Sequence, residues 1–153
     1  SLEAALFFHL WKDTILQLQG AIAVVDTWGD QNIIQIYDKL FLGGSNDLRG
    51  FDFHDVSPRD INGEPLGGRS SARFTIEYTV PIIEKARAPI FYDTGFVSGQ
   101  SWDFDTSHLV WDIGIGLRLD LAIGPIRIDY AIPLQKDIYG GSGKFNFNVG
   151  YQF

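Results

Sequence analysis

Residues 109–121 read Leu109-Val110-Trp111-Asp112-Ile113-Gly114-Ile115-Gly116-Leu117-Arg118-Leu119-Asp120-Leu121. Every odd-numbered position of this stretch carries a large apolar side chain, and apart from Val110 the even-numbered positions carry only Asp, Gly or Arg. Such alternation predicts a β-strand with one apolar face and one polar or small face. A tilted strand needs about 9–11 residues to cross a bilayer, so this segment is long enough to do so.

The same alternation recurs in six other segments of the chain. Short turns at Lys12-Asp13 and Gly124-Pro125 alternate with longer connections, a pattern typical of an antiparallel transmembrane β-barrel. The composition, 14% aromatic with 17 Gly, suits such a wall. We therefore predict an all-β fold, an antiparallel transmembrane β-barrel with seven or eight strands in this chain. The six further predicted strands are 2–11, 14–25, 69–80, 89–97, 126–132 and 144–153.

A soluble antiparallel sandwich is the alternative, because its strands alternate too. The exposed face of a sandwich is usually richer in Lys and Glu than the positions opposite the apolar residues are here. The membrane alternative is also favoured by an aromatic residue at the last position, Phe153. The positions opposite the apolar residues are instead small or uncharged, as at Gly114, Gly116, Asn146, Asn148 and Gly150.

Several classes of function are disfavoured by composition. A net charge of -7 and a pI near 4.7 argue against a nucleic-acid partner, because neutralising phosphates requires clustered Lys and Arg. The chain contains no Cys, and its three His residues lack ligand-spaced companions. No nucleophile elbow or phosphate-binding loop is present. We expect no cofactor, no metal and no enzymatic activity.

Residues 26–68 form a long, polar, glycine-rich connection, and loops of this length tend to be functional or disordered. Its centre carries Gly43-Gly44 and the tetrapeptide Leu48-Arg49-Gly50-Phe51. Period-two alternation places Glu77 and Asp93 on the polar face of two neighbouring strands. The guanidinium of Arg49 can satisfy two carboxylates at once, although each group could equally be a solvated charge.

The tetrapeptide resembles the conserved loop motif of the BamA/TamA family of outer-membrane assembly factors (bacterial surface antigen type), which two-partner secretion transporters share. Four later segments are similar to the family's strands in order: the first two resemble the strand after the long loop and the strand that follows it, and the last two resemble the closing strands. The resemblance therefore covers the chain from about residue 41 onward. It implies the C-terminal half of a 16-stranded barrel in the outer membrane of a Gram-negative bacterium. The four segments are 77–81, 91–95, 114–118 and 123–133.

The resemblance also implies two sets of site residues. In the family the loop folds back into the lumen and docks its arginine on the inner wall. This implies a loop-to-wall clamp formed by Arg49, Gly50, Phe51, Glu77 and Asp93. The last strand resembles the sorting signal of outer-membrane proteins, although Asn148 stands where that signal often has glycine. The residues implied for the closing strand are Phe145, Phe147, Gly150, Tyr151 and Phe153.

By resemblance, the function is to fold and insert β-barrel clients into the outer membrane through a lateral seam. A two-partner secretion or related protein transporter and a purely structural small barrel are the alternatives. The implied partners are the lipid bilayer, unfolded outer-membrane protein clients, and periplasmic lipoproteins that bind N-terminal domains outside this sequence.

Seven strands is an odd number, which single-chain bacterial barrels avoid, and an eight-stranded barrel has no room for a loop of this length. We therefore expect 1–153 to be one barrel domain that is a fragment, with no POTRA domain. It would be completed by a missing barrel half or a second copy.

Overall fold

Alternating apolar and polar residues produce seven strands in the part of the chain that the structure describes. A computed structural model describes residues 1–26, 35, 38–134 and 143–149. Short 3-10 turns at Trp11–Asp13 and Thr106–His108 lie between strands. None of the helices within the described residues is long and apolar enough to cross a membrane. The strands are β1 (Leu2–His9), β2 (Ile15–Val24), β3 (Ser70–Ile83), β4 (Ala86–Ser98), β5 (Val110–Leu121), β6 (Gly124–Pro133) and β7 (Lys144–Val149).

The seven strands form one antiparallel sheet in chain order, from β1 to β7. Each strand pairs with the next along the chain, as in a hairpin meander. Within the described residues β1 and β7 lie at opposite edges and do not pair with each other, so the sheet is open. The predicted all-β antiparallel fold is confirmed.

Several strand boundaries differ from the predicted ones; β1, for example, ends at His9 and not at residue 11. β3 continues through Pro81 to Ile83, and β4 begins at Ala86, so this hairpin is longer than predicted. The turn after β5 consists of residues 122–123, whereas Gly124, with φ +121°, already belongs to β6. Of the predicted closing strand, Gly150, Tyr151 and Phe153 lie outside the described residues.

One face of the sheet exposes apolar side chains and the other buries charged ones, which is the reverse of the arrangement in a soluble protein. Large apolar side chains such as Ile115, 62% exposed, and Ile90, 53% exposed, cover one face, which we call the outer face. The other face, the inner face, carries the carboxylates of Asp93, Asp112 and Asp129, all of them fully buried. Apolar residues outward and polar residues inward are the arrangement of a membrane barrel, whose outer face contacts lipid.

The connection between β2 and β3 covers the inner face. Its apolar residues pack on Val97 of β4 and Val110 of β5, and together they form the buried core of the described residues. The connection holds its own shape through short antiparallel bridges, including Leu42 with Val56. Most of the buried apolar residues on the polar inner face of the sheet are therefore supplied by this connection. The loop residues of this core are Leu42, Leu48, Phe51 and Val56.

Candidate functional site

A tight turn of the loop presents Arg49 to the wall. The amide of Phe51 donates to the carbonyl of Leu48 at 3.1 Å, and both side chains are buried. Two apolar anchors therefore flank the arginine and fix its direction. The double glycine before the turn has φ values of +116° at Gly43 and +112° at Gly44, which side-chain-bearing residues rarely adopt.

The guanidinium of Arg49 binds two carboxylates from neighbouring strands. Its Nε donates to Asp93 Oδ2 at 2.7 Å and its Nη2 donates to Asp93 Oδ1 at 2.8 Å, which is a bidentate pair. Its Nη1 donates to Glu77 Oε2 at 2.6 Å. Charge-assisted and bidentate hydrogen bonds are the strongest that side chains form. The bonds to Asp93 form in a dry setting because Asp93 is fully buried, whereas Glu77 is partly exposed.

An aromatic ring supports the same guanidinium from below. Arg49 Cζ lies 3.4 Å from the centroid of the Phe91 ring, a cation–π contact. The ring has room because β5 carries glycine at the opposed position. A Cβ on Gly114 would lie 2.6 Å from Phe91 Cε2, closer than real contacts allow. Gly114 thus makes space for the ring that supports Arg49.

The next loop residue approaches the wall with its backbone. The amide of Gly50 donates to Asp112 Oδ2 at 2.9 Å. A Cβ at Gly50 would lie 2.5 Å from Asp112 Cβ, so a side chain does not fit there. Asp112 is directly opposed to Asp93 across the β4–β5 pair, so Arg49 and Gly50 engage two facing carboxylates.

Charge dominates the site. Burial disfavours the charged form of Arg49, but the hydrogen bonds and charges of Asp93 and Glu77 outweigh it and raise the pKa of Arg49 above its ordinary value. The arginine is therefore permanently charged. In the same loop, burial raises the pKa of Asp47, although the guanidinium of Arg73, 3.3 Å away, opposes the effect.

Contacts from the later strands extend the site. Asp129 of β6 accepts from Arg118 at 2.7 Å and from Arg127 at 2.6 Å. Arg127 also donates to the carbonyl of Ser45 at 2.8 Å, and Asn146 of β7 donates to the carbonyl of Arg49 at 3.0 Å. Strands β3 to β7 therefore all contact the loop.

The structure brings together all five residues implied for the clamp: Arg49, Gly50, Phe51, Glu77 and Asp93. The implied closing-strand residues are not part of this cluster, since Phe145 and Phe147 are exposed on the outer face. Gly150, Tyr151 and Phe153 lie outside the described residues.

Sequence reasoning missed Asp112, Asp129 and Asn146 as partners of the site. The alternation does place them on the inner face, and that was the available signal. Chemically, the arrangement can hold a loop against a wall. No group of three His, Asp or Glu residues that could hold a metal ion occurs in the part of the chain that the structure describes.

An open antiparallel sheet with an exposed apolar outer face and a loop tied by arginine to carboxylates on its inner face defines a wall segment of a membrane β-barrel. The Omp85 superfamily domain matches residues 1–153. The chain therefore belongs to the Omp85 superfamily, and its location is the outer membrane.

Two curated relatives and one solved structure agree with this assignment. The chain is 30% identical over 130 residues to the outer membrane protein assembly factor BamA of Nitratidesulfovibrio vulgaris, covering 80% of this chain and 16% of that protein. It is 24% identical over 180 aligned residues to the protein of the same name from Neisseria meningitidis serogroup B, covering 96% of this chain and 23% of that protein.

The fold is similar to that in the crystal structure of BamA from Haemophilus ducreyi lacking POTRA domains 1-3. The TM-score is 0.81 at 20% identity, and the match covers 95% of this chain and 33% of that chain. The chain thus spans only 16% to 23% of the length of these curated relatives. The predicted family, BamA-like fold and outer-membrane location are confirmed.

Proposed function

We propose that this chain is the C-terminal part of the barrel of an outer-membrane protein assembly factor. Its parent protein folds unfolded β-barrel clients into the outer membrane through a lateral seam beside the last strand. Similarity to two BamA proteins supports this proposal. The structural observation that carries it is the attachment of the loop to the inner wall by Arg49.

In this proposal Arg49, Gly50, Phe51, Glu77 and Asp93 act as a loop-to-wall clamp. A barrel that opens at one seam must keep the remainder of its wall intact while its edge is free. The loop helps to keep the wall intact, because its side chains and carbonyls bind several strands. These bonds add to the backbone hydrogen bonds between the strands. Removing one partner of a buried ion pair typically costs ~3–5 kcal/mol, so the attachment is strong enough to persist during opening.

The seam is assigned to the free edge of β7. Within the described residues β7 (Lys144–Val149) pairs only with β6. An unpaired strand edge presents free N–H and C=O groups, onto which another strand can add. A client strand is the partner that this chemistry recognises.

Further parts of the proposal concern the parent protein. The remaining strands of the barrel, or a second copy of this chain, complete the wall. Periplasmic lipoproteins bind domains that precede the barrel, and the lipid bilayer surrounds the outer face.

The test uses the full-length parent protein in liposomes, with a urea-unfolded outer-membrane protein as client. The rate of client folding is measured by heat-modifiable gel migration. We expect wild-type protein to accelerate folding and Arg49→Ala to reduce the acceleration. Arg59→Ala is the matched control, because Arg59 pairs with Asp55 within the same loop.

Three results would contradict the proposal. Equal client folding with and without the wild-type protein would indicate a purely structural barrel. Ion conductance together with passage of one dedicated secreted substrate would indicate a transporter. Full activity of Arg49→Ala would show that client assembly does not depend on attachment of the loop to the wall.

A further inference from the structure

The last strand, β7, can be held from its inner face as well as by its neighbour. Within the described residues it pairs with β6 alone, along residues 144–149. Phe145 and Phe147 are exposed on the outer face, so the alternation of a strand turns the intervening side chains inward. These inward side chains are Lys144, Asn146 and Asn148.

Asn146 bonds to the loop at the residue that attaches the loop to the wall. Its Nδ2 donates to the carbonyl oxygen of Arg49 at 3.0 Å, in a partly buried setting. The guanidinium of the same arginine binds Asp93 of β4 and Glu77 of β3. Arg49 therefore joins β7 to two strands on the far side of β5 and β6.

Lys144 makes a second contact with the loop. Its Nζ lies 2.9 Å from Asp52 Oδ1 and 3.0 Å from Asp52 Oδ2. Both side chains are partly exposed, and exposed ion pairs stabilise little. The contact adds less strength than direction, because it holds β7 to the loop at a second point beside Asn146.

Asn148, the next inward position, differs from Asn146. Among the residues that the structure describes, its Nδ2 is buried but makes no hydrogen bond. The loop contacts of β7 therefore lie at residues 144–146, in the first part of the strand.

The loop contacts use side chains and leave the backbone of β7 available. A client strand that adds to the free edge needs the N–H and C=O groups of that edge. Holding the edge in place beforehand lowers the ordering cost of adding the client. Contacts from the inner face can do this without occupying the edge.

We propose that Asn146 and Lys144 are positioning residues that hold the seam strand β7 to the loop. We call their contacts with Arg49 and Asp52 the seam latch. This inference rests on the proposed function, because it assigns to the same loop the control of the seam. The seam latch keeps the edge of β7 in register to receive a client strand.

The test uses the full-length protein in vesicles, with amide hydrogen exchange of β7 and the rate of client folding as readouts. Asn146→Ala removes the bond to the Arg49 carbonyl. Losing one hydrogen bond changes an opening equilibrium about two- to tenfold. Exchange of the β7 amides that bond to β6 should rise by that factor, and client folding should slow by at most the same factor.

Asn148→Ala is the matched control. It changes the same residue type on the same face of the same strand, and the Nδ2 that it removes makes no hydrogen bond within the described residues. We expect wild-type exchange of β7 and wild-type client folding.

A charge exchange separates the seam latch from local damage to β7. Asp52→Lys changes only the loop and places a like charge beside Lys144. At low ionic strength it should raise exchange of β7 up to about fivefold. Adding Lys144→Asp to this variant should restore wild-type exchange, because the ion pair is rebuilt with its charges reversed.

Equal β7 exchange in Asn146→Ala and Asn148→Ala would overturn the proposal. So would unchanged β7 exchange in Asp52→Lys, a failure of Lys144→Asp to restore it, or client folding that is slowed equally by both asparagine variants. Failure of the proposed function is distinguishable from these results. Wild-type protein that does not accelerate client folding refutes the assembly function, whereas the exchange of β7 in the four variants still decides whether the seam latch exists.

Discussion

Replacing Arg49 by alanine removes the bidentate pair with Asp93, the bond to Glu77 and the stack on Phe91 together. Asp93 is fully buried, so its carboxylate is left without a counter-charge. Breaking a buried ion pair in this way costs ~3–5 kcal/mol. Glu77 is less affected, because it is partly exposed and retains Arg118 at 3.5 Å. Its share is below ~1 kcal/mol.

This loss acts on loop attachment rather than on the strands. At about 1.4 kcal/mol per tenfold change, it corresponds to roughly a hundredfold to several-thousandfold more frequent release of the loop. The assay is amide hydrogen exchange of the full-length protein in vesicles, read at Leu42 and Val56. Their amides bond to each other's carbonyls at 3.1 and 2.9 Å, so they report the loop's own fold. Exchange within β3 and β4 should change little.

Arg59→Ala is the matched control, with an expected effect of at most ~1 kcal/mol, because its ion pair with Asp55 is half-buried and lies within the loop. Arg49→Lys keeps the charge but loses the fork, and should give an intermediate effect of ~1–3 kcal/mol. The reasoning is refuted if Arg49→Ala and Arg59→Ala show the same exchange at both amides. Equal protease sensitivity of residues 26–68 in the two variants would refute it as well.

Three further predictions concern single side chains. Gly50→Ala should destabilise the docked loop by ~1–3 kcal/mol through overpacking against Asp112, and equal urea midpoints for this variant and wild type would contradict the close approach. Asp112→Asn should stabilise the protein by ~0.2–1 kcal/mol, because it removes like-charge repulsion with Asp93 and keeps an acceptor for the Gly50 amide; a lower urea midpoint would count against it. Hydrogen bonds from Ser107 lower the pKa of Asp105 in the folded protein. Ionised Asp105 therefore stabilises the Thr106–His108 turn fully above its unfolded pKa of about 3.9. This stabilisation is lost as the pH falls through the lower folded pKa. Exchange of the Ser107 amide should rise in acid for wild type, and an Asp105→Asn variant with the same acid dependence would disprove the assignment.

Much of the fold follows from local pattern. In β5 the alternation of Ile113, Ile115 and Leu117 with Asp112 and glycine can satisfy only one geometry, a strand between two different environments. Strand ends were less predictable. Pro81 reads as a break in the sequence, yet β3 continues through it to Ile83, because pairing with β4 carries the hairpin onward.

The loop attachment was partly predictable. Arg49, Glu77 and Asp93 could be singled out because a guanidinium between two inward carboxylates is a recognisable chemical combination, and the family resemblance supplied their order. The contact of Gly50 with Asp112 could not be predicted from the sequence, because it depends on Asp93 and Asp112 facing each other on neighbouring strands. A shift of the register by one residue would send either side chain to the other face.

The sequence by itself determined the period-two pattern, hence the strands, their two faces and the residues available on the inner face. Local sterics and burial act over a few residues, so that information is present in the chain order. Only the tertiary structure decided which inner-face residues meet. Strand register placed Asp112 opposite Asp93, and the path of the loop brought Arg49 to Asp93 across 44 residues of sequence and to Asn146 across 97. Both depend on long-range pairing, whose energy appears only when distant segments are packed together.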